Sequence, residues 1–132
     1  VRFVRPVSTA AYAARHVAFS ALVLLAPATA YYMPEGALKA VNLPILMLTG
    51  EHDDITPQWH ADLVIKGVPQ PKNVRWHDIS NAGHFSFLSP FPPAMQRPGL
   101  APALDPPGFD RVAFHQEMPL QIADFLDRHL RA

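Results

Sequence analysis

Two apolar runs, Ala18–Ala26 and Ile45–Thr49, constrain the fold most strongly because almost no polar residue interrupts them. A strand with one face in water alternates apolar and polar residues, whereas a continuous run of this length is typical of a parallel strand buried on both faces. A third run, Val74–Ile79, begins and ends with β-branched residues, as strands often do. The sequence therefore predicts about three parallel strands.

Helical patterns separate and follow these strands. Glu35–Val41 is predicted to form a short helix, and Thr56 is predicted to cap a second helix with Pro57 in its first turn. Asp110 is expected to cap a last helix, which Pro119 should kink or split in two. The apolar face of that helix comprises Phe114, Met118, Ile122, Phe125, Leu126, His129 and Leu130. Strands alternating with helices indicate the α/β class, in a single domain over residues 1–132.

Prolines crowd the segment 89–109, within a chain that holds 15 prolines in 132 residues. Proline cannot donate to a strand ladder or continue a helix, so we expect a long ordered loop, with disorder as the alternative.

Charge and composition exclude several classes of protein. Eleven basic and eleven acidic residues cancel without forming a basic cluster, which argues against nucleic acid or an anionic membrane surface as partner. The longest apolar run, from Val17 to Tyr32, is shorter than the ~20 residues of a membrane span. The absence of cysteine excludes disulfides and thiolate metal sites.

An acidic loop follows the second strand at Gly50–Pro57. In parallel sheets, a side chain just beyond the carboxyl end of a strand lies where such folds place their sites. Gly50 is expected to allow a sharp turn before Asp53 and Asp54. The alternative is that either aspartate only caps or solvates the turn.

A histidine loop, Asn81–Phe85, follows the third strand in the same way. Histidine titrates near neutral pH, which suits His84 to proton transfer, although a single loop histidine is more often structural. Two such loops after successive strands make a shared site the stronger hypothesis.

The segment from Leu43 to Leu88 resembles the acid and histidine loops of the α/β-hydrolase fold. The run Leu43–Asp53 is similar to the strand and acid turn of that fold, and Asn81–His84 is similar to its histidine turn. Leu25–Ala28, His84–Leu88 and Gly108–Arg111 are similar to bacterial dienelactone-hydrolase-like proteins, which are related to the platelet-activating-factor acetylhydrolase group.

The resemblance implies the C-terminal portion of an α/β-hydrolase fold that cleaves a carboxylic ester or lactone without a cofactor. It assigns Asp53 as the triad acid, with Asp54 as competitor, and His84 as the general base. A thioesterase or amidase would use the same triad. The rival from another class is a non-catalytic or partner-binding domain that lacks the nucleophile.

The nucleophile of that family stands in a Gly-x-Ser-x-Gly elbow, and none of the six glycines frames a serine in this way. Because the family order is serine, acid, histidine, we expect the elbow and the oxyanion hole upstream of Val1. Ser86 follows His84 too closely to take that role, and Ser20 is predicted to be buried in a strand. The remaining serines, Ser8, Ser80 and Ser89, lack a supporting context.

Three further expectations concern ligands and partners. Phe85 and Phe87 are candidate walls of a substrate pocket beside His84, with ordinary packing as the alternative. A metal cluster of His52, Asp53, Asp54 and His60 is weighed against a solvated loop, which is favoured. Removed from its neighbour in the full fold, the first strand would present an unpaired edge, and we expect the chain alone to be poorly stable or to self-associate.

Overall fold

The computed structural model describes residues 19–130. Three strands form one parallel sheet in the order β1 (Leu22–Leu25), β2 (Ile45–Gly50) and β3 (Val74–Ile79). Ile45 pairs with Leu22 on one side and with Val74 on the other. The predicted parallel sheet and α/β class are confirmed. Residue 18, at the start of the first predicted strand, lies outside the described residues.

The central strand β2 is buried on both faces, as its continuous apolar sequence predicts. Leu46 and Leu48 face one core cluster, and Ile45 and Met47 face the other. The first cluster also contains Ala26, Phe87, Met118 and Phe125, and the second contains Leu38, Ala61, Val64 and Val68. By contrast, β1 is only half-buried because, among the described residues, it pairs with β2 alone.

The first predicted helix, Glu35–Val41, does not form. Residues 35–40 make successive turns closed by bonds such as Ala37 N–H to the Pro34 carbonyl, 3.0 Å, and Lys39 N–H to the Gly36 carbonyl, 3.1 Å. Gly36 has a φ of 76°, in the left-handed region, which interrupts any right-handed helix.

Two α-helices do form: α1 (Trp59–Gly67) and α2 (Arg111–Leu130). No side chain caps the start of α1, so the predicted capping role of Thr56 is wrong. Asp110 does cap α2, since its Oδ1 accepts from the Ala113 N–H at 2.9 Å. The helix α2 continues through Pro119 without dividing.

Between β3 and α2 the chain forms only short 3₁₀ turns, at His84–Phe87, Pro93–Met95 and Ala101–Ala103. The Pro-rich segment 89–109 is therefore a long loop, which we call the proline loop. Between residues 19 and 130, no helix combines the length and the apolar character needed to cross a bilayer.

Candidate active site

The acid and histidine loops meet at the carboxyl ends of β2 and β3. The His52 N–H donates to the Ala82 carbonyl at 2.8 Å, and the Glu51 N–H donates to the Ile79 carbonyl at 3.1 Å. A Cβ atom on Gly50 would lie 2.5 Å from the Ala82 carbonyl oxygen. Gly50 is therefore needed for the close approach of the two loops, and it also begins the expected turn, in which the Asp53 N–H donates to the Gly50 carbonyl at 3.0 Å.

Glu51 adds a side-chain link between the same loops. Its Oε2 accepts from the Asn81 N–H at 2.8 Å and from the Ser80 hydroxyl at 3.0 Å. These two hydrogen bonds, first that of Asn81, lower the pKa of the exposed Glu51 carboxyl. Asn81 has a φ of 58°, so the carboxylate bonds the amide of a residue in the left-handed region.

Asp53 is buried and its carboxylate is saturated with donors. Oδ1 accepts from the backbone N–H groups of Ile55, 3.0 Å, and Thr56, 2.7 Å, and Oδ2 accepts from the Thr56 hydroxyl at 2.7 Å. Burial raises the pKa of Asp53, but the hydrogen bonds from Thr56 and from His84 outweigh it and bring the pKa below its ordinary value. Asp53 is thus held as a carboxylate.

His84 completes the pair. Its Nδ1 lies 2.9 Å from Asp53 Oδ2 and 3.1 Å from the Thr56 hydroxyl. Because the carboxylate can only accept, Nδ1 must carry the proton, and this leaves Nε2 with a free lone pair in the neutral ring. Within residues 19–130 no group hydrogen-bonds Nε2, and 23% of the side chain is exposed.

An open groove of about 360 Å³ lies beside His84. Phe85 lines it, together with Asp54, which is exposed and, unlike Asp53, forms no hydrogen bond with the imidazole in the described structure. The other lining residues are His52, Ile55, Gly83, Ala101, Leu104, Asp105 and Pro106. The groove therefore combines apolar walls with a base at its edge.

Phe87, which the sequence groups with Phe85, lies elsewhere. It is 9% exposed, belongs to the core cluster under α2 and meets Phe114 edge to face with ring centroids 5.6 Å apart. In the 3₁₀ turn His84–Phe87, the first two side chains line the groove and the last two are buried, so only the first phenylalanine reaches the groove.

No serine of the described residues stands opposite His84 Nε2. Ser86 is 1% exposed, and its hydroxyl is engaged by Gly83 and Asp105. Ser80 bonds Glu51, Ser89 is exposed, and Ser20 is exposed and precedes β1 instead of lying buried within it. Ser8 lies outside the described residues.

The residues considered as a metal cluster in the sequence are engaged in contacts of their own. The His60 ring is buried, and its Nδ1 accepts from the Thr29 N–H at 2.8 Å, while Asp53 faces His84. In the described part of the chain, no three His, Asp or Glu side chains are placed to share a metal ion.

Sequence reasoning missed the site role of Thr56. An aspartate followed three residues later by threonine is a signal for a side chain that bonds the next turn, and Asp53 and Thr56 have this spacing. The same spacing also fits a helix cap, and only the packing of His84 against the loop distinguishes the two.

Comparison with known proteins adds no relative. The chain matches no protein-family model, and no curated protein or solved structure shows significant similarity to it.

Proposed function

We propose that this chain supplies the acid, Asp53, and the base, His84, of a Ser-His-Asp hydrolase that cleaves a carboxylic ester or lactone. The observation that carries the proposal is the 2.9 Å contact between Asp53 Oδ2 and His84 Nδ1, in a histidine that lines an open groove. A buried carboxylate that fixes the tautomer of an accessible imidazole is the arrangement that acyl transfer requires.

In this reaction the serine oxygen attacks the ester carbonyl while its proton passes to His84 Nε2. Asp53 stabilises the resulting imidazolium, which then protonates the departing alcohol oxygen. Water repeats the sequence on the acyl-serine and releases the acid. Phe85 and Ile55 offer apolar contacts to the acyl or alcohol portion of the substrate.

The scaffold supports the same proposal. Three parallel strands in sequential order, with the acid after the second and the histidine after the third, are what the resemblance to the C-terminal portion of an α/β-hydrolase leads one to expect. The nucleophile must come from outside the described residues, either from upstream sequence or from a second chain.

A fluorophosphonate probe, which phosphonylates activated serines, tests the proposal on the protein as isolated from its source cells. We expect covalent labelling of one serine and hydrolysis of p-nitrophenyl acetate. Both should fall in His84→Ala and Asp53→Ala, by on the order of 10³-fold in turnover. Asp54→Ala is the matched control and should retain most of the activity.

Two results would count against this assignment. An equal loss of turnover in Asp53→Ala and Asp54→Ala would contradict the assignment of Asp53 as the acid. Absence of both labelling and turnover in the wild-type protein would favour a non-catalytic, partner-binding domain.

A further inference from the structure

A second carboxylate, Asp105, bonds the turn that carries His84 and lines the same groove. It belongs to the proline loop, and both of its oxygens are occupied. Oδ2 accepts from Arg111 Nε at 2.8 Å, while Oδ1 accepts from Arg111 Nη2 at 2.9 Å and from the Ser86 hydroxyl at 2.7 Å. Two parallel bonds from a planar guanidinium fix the carboxylate in position as well as in orientation.

Arg111 is itself buried and makes further hydrogen bonds. The residue is 6% exposed, and its Nη1 and Nη2 also donate to the carbonyls of Pro102, 2.9 Å, and Leu104, 3.1 Å. A buried charge is costly unless it is paired and hydrogen-bonded, and this guanidinium satisfies both conditions. The first residue of α2 therefore fastens the proline loop to the helix.

Ser86 connects this pair to the histidine turn. Its hydroxyl accepts from the Gly83 N–H at 3.0 Å while it donates to Asp105, and its carbonyl accepts from His115 Nε2 at 3.0 Å. His115 follows Arg111 by four residues, so the two lie on the same face of α2. Gly83 and Ser86 flank His84, and both are thereby tied to α2 and the proline loop.

We propose that Ser86, Asp105 and Arg111 are positioning residues that set the direction of the His84 side chain, an inference that rests on the proposed function of His84. Asp53 bonds the imidazole itself through one atom, which fixes the tautomer but not the path of the backbone. The network of Asp105 fixes that backbone through the Ser86 hydroxyl, which bonds both Asp105 and the Gly83 N–H. Nε2 is therefore aimed into the groove before any substrate arrives.

The test is proton NMR of the full chain, which observes the His84 Nδ1–H that is hydrogen-bonded to Asp53. This proton should give a downfield signal, assigned by its disappearance in His84→Gln. In Ser86→Ala the signal should be lost while the circular dichroism spectrum stays unchanged. Ser89→Ala, an exposed serine with no side-chain hydrogen bond to another described residue, is the matched control and should keep the signal.

If Ser86 only stabilises the fold, the NMR experiment gives a different result. If Ser86→Ala melts at a lower temperature but keeps the signal in its folded state, the proposal is wrong. Should Ser86→Ala fail to fold, Arg111→Lys answers the same question, because lysine keeps the charge but cannot hold both oxygens of Asp105. A weakened signal in that variant supports the proposal, and an unchanged one overturns it.

Ester turnover separates this inference from the function on which it rests. Where the wild type hydrolyses the ester, Ser86→Ala should lower kcat about 10- to 100-fold with KM little changed, as for a misplaced catalytic group. Loss of the signal in Ser86→Ala alongside an inactive wild type would support the positioning role and refute the hydrolase. If the wild type is active and Ser86→Ala keeps both the NMR signal and kcat, the hydrolase is supported and the positioning role is refuted.

Discussion

Thr56 and Asp53 show how much of the site depends on single hydrogen atoms. The Thr56 hydroxyl has one proton, and its shortest contact, 2.7 Å, is to Asp53 Oδ2. Its lone pair is then free to accept from His84 Nδ1 at 3.1 Å. The histidine proton is therefore shared between a carboxylate and a hydroxyl, which together define its direction.

The lowered pKa of Asp53 predicts how its contribution to stability depends on pH. The folded pKa lies below the unfolded value of about 3.9, so the folded state favours the carboxylate. The contribution is fully present above the unfolded pKa and is lost as pH falls through the folded pKa. Asp53→Asn should lower the free energy of unfolding at neutral pH by about 1–3 kcal/mol, since charge-assisted hydrogen bonds become neutral ones.

Urea unfolding from neutral pH into the acid range measures this effect. The difference between wild type and Asp53→Asn should shrink in acid, because the Asp53 carboxyl is then protonated and as neutral as the amide that replaces it. The exposed Asp54 provides the control, and Asp54→Asn should change little at any pH. A difference that stays constant into acid would contradict the assigned pKa direction.

The strands and loops place these residues through close backbone contact. β2 and β3 end side by side, and the loop after β2 donates backbone hydrogen bonds to the end of β3 and to the loop after it. The absence of a side chain at Gly50 permits this contact. The sheet thus brings the acid and the base together without any direct link in sequence.

Gly50→Ala should therefore lower the free energy of unfolding by more than the addition of one methyl group usually does. The new Cβ would lie 2.5 Å from a backbone oxygen, which cannot rotate away as a side chain can. We expect a loss of about 1–3 kcal/mol in the free energy of unfolding by urea titration, the usual range for overpacking. The downfield signal of His84 should weaken as the loops separate.

Gly67→Ala is the matched control for that substitution. Its Cβ would meet side-chain atoms of Leu38 and no carbonyl oxygen, with Cδ1 at 3.0 Å and Cβ at 3.3 Å, so a small shift of that side chain relieves the contact and the effect should stay below about 1 kcal/mol. An effect of Gly50→Ala as small as the one expected for Gly67→Ala would mean that the close approach of the two loops is not needed for stability.

The sheet has two edge strands, because β1 and β3 each pair only with β2 among the described residues. β3 is followed by the histidine turn, the proline loop and α2, which connect through Asp105 and Arg111. β1 pairs only with β2 among the described residues, and Leu25 at its end is exposed. Unpaired strand edges pair readily with other chains.

We expect the 132-residue chain to self-associate through β1 in a concentration-dependent manner. Leu25→Lys should weaken association about tenfold, or ~1.4 kcal/mol, because pairing would bury a charge at the edge. Leu120→Lys, on the exposed face of α2, should leave association unchanged. Sedimentation velocity makes the comparison, and a monodisperse monomer at every concentration would refute the expectation.

The sequence by itself determined the three strands, their parallel arrangement, the capped last helix and the two loops in which Asp53 and His84 lie. These features follow from continuous apolar runs and from local signals such as the Asp110 cap, which act over a few residues. The cause that prevents a helix at Glu35–Val41 is also local, since it is the conformation of Gly36. Glycine permits several conformations, so the sequence did not predict which one Gly36 adopts.

Only the tertiary structure decided which loop side chains meet. It directed Asp53 rather than Asp54 towards His84, gave Thr56 a place in the site in place of its helix cap, and put Phe87 in the core. It also joined Ser86 to Asp105 across 19 residues and Asp105 to Arg111 across 6 residues. These choices depend on the packing of distant segments, and side-chain direction in a loop has no periodicity from which it can be deduced.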